Sequence, residues 1–121
     1  MRILIADDNE WVRRGVKNIL APVAYWEVCG EANDGTEAIQ KAAELLPDLI
    51  LLDVSMPGLN GLDVARLLRE KIPAAKILIM SQHDPAVLLP RAINAGANGC
   101  VDKSRLSTEL LPMIARVMDA A

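Results

Sequence analysis

Imidazole and thiol groups are scarce in this sequence: of 121 residues, one is histidine, His83, and two are cysteine, Cys29 and Cys100. No CxxC pair and no histidine-rich tract accompanies them, which excludes zinc ribbons and haem attachment. Phenylalanine is absent. Lysine and arginine never form a run, and 13 basic side chains stand against 16 acidic ones for a formal net charge of −3. The chain is therefore not built to grip a phosphate backbone by itself. A long apolar run is missing too. Ile3 to Ala6 is followed at once by two acids, too early for a signal peptide or a membrane span. What remains is a soluble domain of the reducing cytosol. Its length lets a folded chain bury roughly two-thirds of its unfolded surface without a disulfide or structural metal.

What is present is alternation. Three continuous apolar runs, Ile3 to Ala6, Leu49 to Leu52 and Ile77 to Met80, have the pattern of central parallel strands covered on both faces. Trp26 to Ala32 and Gly99 to Val101 mix polar and small residues into that pattern and are expected at the sheet edges. Between them lie helical stripes: Val12, Val16, Ile19 and Leu20; then Ile39, Ala43 and Leu46; then Leu62, Ala65, Leu68 and Ile72. A fourth helix starts at Asp84-Pro85 and ends by Gly96, with Pro90 expected to leave it short, kinked or partly unwound. A fifth carries Leu110, Ile114 and Val117, with Ser107 or Thr108 as its cap. Strands alternating with helices, without linker or repeat, predict one α/β domain over residues 1–121.

In an open parallel sheet, ligands bind beyond the carboxyl ends of the strands. Asp7 and Asp8 follow the first strand, Asp53 the third, Ser81 the fourth, and Lys103 lies just after the fifth. Each alone reads as an ordinary loop or helix-cap residue. Together they form one polar rim. If the first and third strands are neighbours, Asp7, Asp8 and Asp53 converge and need a bound proton or a cation. An oxygen-only donor set suits Mg²⁺ or Mn²⁺ better than zinc. Lys103 and Ser81 add a positive charge and a hydroxyl donor that suit a phosphoryl group. Those groups predict phosphoryl chemistry on a carboxylate nucleophile.

The pair Asp7-Asp8, the stretch from Leu52 through Asp53, Val54, Ser55, Met56, Pro57, Gly58, Leu59 and Asn60 to Gly61, then Ser81, and finally Gly96-Ala97-Asn98-Gly99 leading to Lys103, resemble the receiver domains of bacterial two-component response regulators. Gly30 to Gly35 and Ser81 to Asp84 further resemble the NarL/FixJ-like subfamily. The resemblance implies a flavodoxin-like (βα)5 doubly wound parallel five-stranded sheet in the order 2-1-3-4-5. It implies phosphorylation of Asp53 by a sensor histidine kinase in the cytoplasm. The implied metal site is Asp7, Asp8, Asp53 and the Ser55 backbone carbonyl around Mg²⁺, with Mn²⁺ as a substitute. Lys103 and Ser81 are implied as the phosphoryl contacts, and the protein as a switch rather than an enzyme, beyond promoting its own phosphorylation and dephosphorylation. Its output partner is either its own C-terminal DNA-binding domain or a downstream protein, with the effector domain expected outside this chain. It acts as a monomer or as a homodimer formed on phosphorylation.

Two positions depart from the family pattern. Cys100 stands where receivers usually carry Tyr or Phe, and Ser104 follows Lys103 in place of the common Pro. Phosphoacceptance is expected to survive both, with the signal running through backbone motion or a differently tuned output face. A phosphoaspartate hydrolase needs a second acid two residues after the nucleophile, and Ser55 holds that place. An interaction module that is never phosphorylated is the remaining alternative. Cys29 and Cys100 fall on opposite edge strands, too far apart for a disulfide. His83 is expected as a solvated loop residue; Trp11 as a kinase contact or a partly packed surface residue; Leu88 and Leu89 as core or partner patch.

Overall fold

The continuous apolar runs become strands with no face left in water. The computed structural model describes residues 1–56 and 60–119. In it β1 (Arg2–Ala6), β2 (Glu27–Ala32), β3 (Leu49–Asp53), β4 (Lys76–Ser81) and β5 (Gly99–Asp102) form one parallel sheet in the order β2-β1-β3-β4-β5. The helices are α1 (Glu10–Leu20), α2 (Gly35–Leu45), α3 (Gly61–Lys71), α4 (Pro85–Asn94) and α5 (Leu106–Asp119). None among the described residues is long and apolar enough to cross a membrane. The expected flavodoxin-like sheet, with its three central and two edge strands, is thus the observed one.

Successive side chains on each strand enter opposite cores. Leu4, Ile50, Leu52, Ile77 and Ile79 pack with α2, α3 and α4, while Ile3, Ile5, Leu49, Leu51, Leu78 and Met80 pack with α1 and α5. Burying each such side chain is worth about 1.5 to 3 kcal/mol. Cys29 is the extra residue where the β1–β2 register slips, since Ile3 faces Val28 but Leu4 faces Gly30. Both cysteines are free, Cys29 partly buried and Cys100 buried.

Three expectations need correction. The core stripe of α2 is Ala38 and Ala42 with Ile39 and Leu45 partly buried, whereas Ala43 and Leu46 face solvent. The face of α2 turned to the core is the one carrying Ala38 and Ala42, and Leu46 lies beyond the helix in a left-handed conformation, φ 49°. The cap preceding α5 is not Ser107 or Thr108. Asp102 accepts from the Ser104 N–H and starts a short 3-10 turn, Lys103–Arg105, that runs into α5. Finally, Pro90, which is exposed, does not unwind α4: the helix is continuous over ten residues, although it is shorter than the other four, one of the outcomes expected. Its start at Asp84-Pro85 and the positive φ of Gly96 just beyond its end are as expected. Leu88 is core and Leu89 is exposed.

Sequence periodicity gives no hint of Arg69. Its guanidinium donates to the carbonyls of Gly96, Pro73 and Ala75 and to Asn98 Oδ1, at 2.6 to 2.9 Å. Asn98 in turn exchanges hydrogen bonds with the Ile77 backbone. One side chain on α3 thereby fixes the loops entering β4 and β5, at the sheet end opposite the carboxyl rim.

Leu46 combines a left-handed backbone with 64% exposure. Leu46→Gly removes the Cβ that opposes that conformation while giving up little buried surface. It is expected to raise unfolding free energy by about 1 kcal/mol in urea denaturation; a lower midpoint would contradict this account of the α2 terminus.

Candidate functional site

All five strands are parallel, so their carboxyl ends open onto one edge. The loops of that edge carry two distinct sets of polar side chains. The first set caps helices: Asn9, Asp34, Asn60 and Asp84 accept from backbone N–H groups at the starts of α1, α2, α3 and α4. Helix capping therefore needs neither Asp7, Asp8, Asp53 nor Ser81.

The second set lies at the strand ends, out of water. Asp7 and Ser81 are 0% exposed and Asp53 is 1% exposed. Each uses one oxygen to hold its own loop. Asp7 Oδ1 accepts from the Asn9 N–H at 2.9 Å, Asp53 Oδ1 from the Ser55 N–H at 2.9 Å, and Ser81 Oγ from the His83 N–H at 3.0 Å. The Oδ2 atoms of both aspartates point instead at the Lys103 ammonium, 2.6 Å from Asp7 and 3.2 Å from Asp53. Lys103 is thus shared, and it sits nearer Asp7 than Asp53. Neither Oδ2 receives a well-directed hydrogen bond.

Asp8 is exposed but belongs to the same group, with one carboxylate oxygen each from Asp7, Asp8 and Asp53 lying within 4.8 Å of one another. At about 5 Å and an effective dielectric near 20, each carboxylate pair repels by about 3 kcal/mol. Three acids face one ammonium. Burial pushes the Asp53 carboxyl above its usual range and Asp7 adds to the push, while the Ser55 N–H and Lys103 pull back only in part. Burial alone would lower the Lys103 ammonium, but its close ion-pair contact with Asp7 and the charge of Asp53 outweigh it and hold its pKa above the usual lysine value. Buried oxygens without directed donors, in an oxygen-only set, fit a hard divalent cation.

Lys103 is delivered by a local device. Asp102 Oδ1 accepts from both the Ser104 N–H at 2.9 Å and the Ser104 hydroxyl at 2.7 Å, turning the chain where β5 ends. The Lys103–Ser104 peptide is trans. Of the motif after Asp53, Pro57, Gly58 and Leu59 lie outside the described residues.

The sheet brings Asp7, Asp8, Asp53 and Lys103 together, with Ser81 buried on the same rim and Ser55 holding Asp53. His83 is exposed, as is Trp11, whose ring lies under Arg14 at 5.2 Å. Cys100 faces Ile79 in register and is buried in the core with Leu88 and Ala92. Burial, with the charge of Asp102 adding, pushes its thiol up to about 11. Sequence reading missed Arg13, which donates to the Asp7 carbonyl at 2.6 Å. A long side chain crossing from a helix to a loop carbonyl leaves no periodic signal.

The family profile for the response regulator receiver domain matches residues 3–115. The chain belongs to that family. Chemotaxis protein CheY of Thermotoga maritima is 38% identical over 102 residues, which is 84% of this receiver domain and 84% of that protein. Response regulator GacA of Pseudomonas viridiflava is 35% identical over 114 residues, 94% of this chain and 53% of GacA. Among solved structures, the signal receiver domain of NarL from Mycobacterium tuberculosis superposes with a TM-score of 0.89 at 32% identity, covering 99% and 97% of the two chains. The receiver domain spans about half the length of curated relatives such as GacA and the transcriptional activator protein ExaE of Pseudomonas putida.

A raised Asp53 pKa means that the folded receiver holds this proton more tightly than the unfolded chain does. Ionisation of Asp53 then costs stability at neutral pH, and the cost vanishes below the unfolded-state pKa. Without added cation, Asp53→Asn is expected to melt higher than the wild type at pH 7, the gain disappearing near about pH 3. Equal melting temperatures at pH 7 would contradict the electrostatic account.

Proposed function

We propose that this receiver is a phosphoacceptor switch in which Asp53 takes a phosphoryl group from a phosphohistidine of a sensor histidine kinase. The observation that carries the reading is Asp53 Oδ2: buried, free of directed hydrogen bonds, and 3.2 Å from the Lys103 ammonium. Its lone pair attacks phosphorus, the P–N bond breaks, and the imidazole leaves with its electron pair and is protonated. The product is an acyl phosphate on Asp53. Ser55 fixes the second carboxylate oxygen, so the attacking one keeps a set direction.

Asp7, Asp8, Asp53 and the Ser55 backbone carbonyl would hold Mg²⁺, or Mn²⁺ in its place, which would supply the positive charge that lets an anion approach three carboxylates. Lys103 stabilises the transferred group with the ammonium that now bridges Asp7 and Asp53. Ser81 accepts the His83 N–H with its oxygen, so its own O–H remains available to donate to a phosphoryl oxygen.

The same serine carries the signal. Drawing Ser81 toward the phosphoryl group pulls His83 through its N–H, and His83 adjoins Asp84, the cap of α4. Beyond the Ser81 hydroxyl that route needs no further side chain, which matches a buried Cys100 in place of a mobile aromatic ring. The proposed outlet is the face of α4, β5 and α5; on α4 itself Val87, Leu89 and Ile93 are exposed.

The biological setting that the relatives favour is the cytoplasmic regulatory part of a transcription regulator, since ExaE and GacA are roughly twice as long as the matched region. The match to CheY, which covers most of both chains, favours a second setting: a receiver acting directly on another protein.

Intact-mass spectrometry after incubation with acetyl phosphate tests the chemistry. The wild type is expected to gain one labile phosphoryl group only when Mg²⁺ is present, and Asp53→Asn none. An adduct that persists in Asp53→Asn, or a wild type that never gains one, would contradict the proposal.

A further inference from the structure

Arg13 stands on α1, yet its side-chain contacts both leave that helix. Nη1 donates to the backbone carbonyl of Asp7 at 2.6 Å, and Nε donates to Glu31 Oε1 on β2 at 3.0 Å. The guanidinium is well shielded, its side chain 16% exposed. Lys17, one turn further along α1, holds the other oxygen of Glu31 at 3.0 Å, so the far end of the fork is anchored twice.

The Asp7 carbonyl belongs to the peptide that joins Asp7 to Asp8. The rest of Asp7 is already fixed: its N–H donates to the Ala32 carbonyl and its Oδ1 accepts from Asn9. Asp8 is not. It is exposed and makes no hydrogen bond or ion pair among the described residues, so the place from which its carboxylate can reach the group is set by the backbone, and in particular by that peptide. Arg13 sets the peptide plane. Glu31 anchors the far end of the fork and is itself shared with Lys17. The neighbouring Arg14 does none of this; it is mostly exposed and among the described residues pairs only with Glu10, at 3.9 Å, and the Trp11 ring.

We infer that Arg13, braced by Glu31, is a positioning residue for divalent-cation binding, holding the Asp7–Asp8 peptide so that the Asp8 carboxylate joins those of Asp7 and Asp53. The inference rests on the proposed use of that acidic group and adds a residue that touches neither cation nor phosphoryl group. Partners that orient metal ligands commonly govern affinity without contacting the ion.

The test is Mn²⁺ binding to the whole chain, read from the loss of the free-ion electron paramagnetic resonance signal, together with thermal melting without metal. Arg13→Ala is expected to bind Mn²⁺ about tenfold more weakly than the wild type, and Arg14→Ala within about twofold of it. Arg13→Lys, with one ammonium in place of a two-ended fork, is expected between the wild type and Arg13→Ala. Wild-type affinity in Arg13→Ala alongside a lower melting temperature would assign Arg13 a merely structural role and overturn the inference. A wild type that binds no Mn²⁺ would overturn the reading of the acidic group itself, and this inference with it. Should Arg13→Ala fail to fold, Glu31→Gln frees one end of the fork and is expected to weaken Mn²⁺ several-fold; unchanged affinity there would likewise overturn it.

Discussion

Two carboxylates almost wholly withdrawn from water share a single ammonium, and the rest of the receiver is arranged around that charge imbalance. Lys103 reaches Asp7 and Asp53 together, at 2.6 and 3.2 Å, while Asp8 adds a third negative group at the mouth. A buried ion pair stabilises only when desolvation is offset by good geometry and further hydrogen bonds. Here each buried acid has one oxygen satisfied by its own loop and the other aimed at the shared lysine. Such a site gives up stability for function. It is poised to gain from any added positive charge and from any anionic group that brings the cation with it.

The fold makes the arrangement affordable through a division of labour along one rim. Five parallel strands bring their ends to one edge, and a separate set of side chains, Asn9, Asp34, Asn60, Asp84 and Asp102, caps the helical turns that follow. Asp7, Asp53 and Ser81 are not needed as helix caps and lie buried at the strand ends. At the opposite end of the sheet, Arg69 ties together the loops entering β4 and β5. In the proposed switch, movement at Ser81 would reach the start of α4 through the His83 N–H, while the far end of that helix adjoins a loop held by the Arg69 guanidinium.

Strand positions were legible because Ile3 to Ala6, Leu49 to Leu52 and Ile77 to Met80 have no reason to be continuously apolar unless both faces are covered. The site was legible because chemistry-bearing residues stood immediately beyond those runs, and the acidic pair, the Asp53 stretch and the distant lysine together pointed to a receiver. Elsewhere periodicity misled. Ile39, Ala43 and Leu46 fit a helical stripe as well as Ala38 and Ala42 do, and spacing alone does not say which face of α2 turns to the core. The turn into α5 begins at Asp102 because its carboxylate catches Ser104, a contact two residues long that a search for helical stripes overlooks. Arg13 and Arg69 were invisible because the contacts that matter most reach backbone carbonyls, which every residue carries, and their side-chain acceptors, Glu31 and Asn98, are distant in sequence.

The central claim is that this charge cluster is incomplete without a divalent cation. The most direct measurement is the melting temperature of the wild type at pH 7 as Mg²⁺ is raised from none through the millimolar range, at constant ionic strength. Preferential binding to the folded state predicts a rise that continues with the logarithm of Mg²⁺ concentration once the site is filled. A melting temperature that stays flat over that range would contradict the claim.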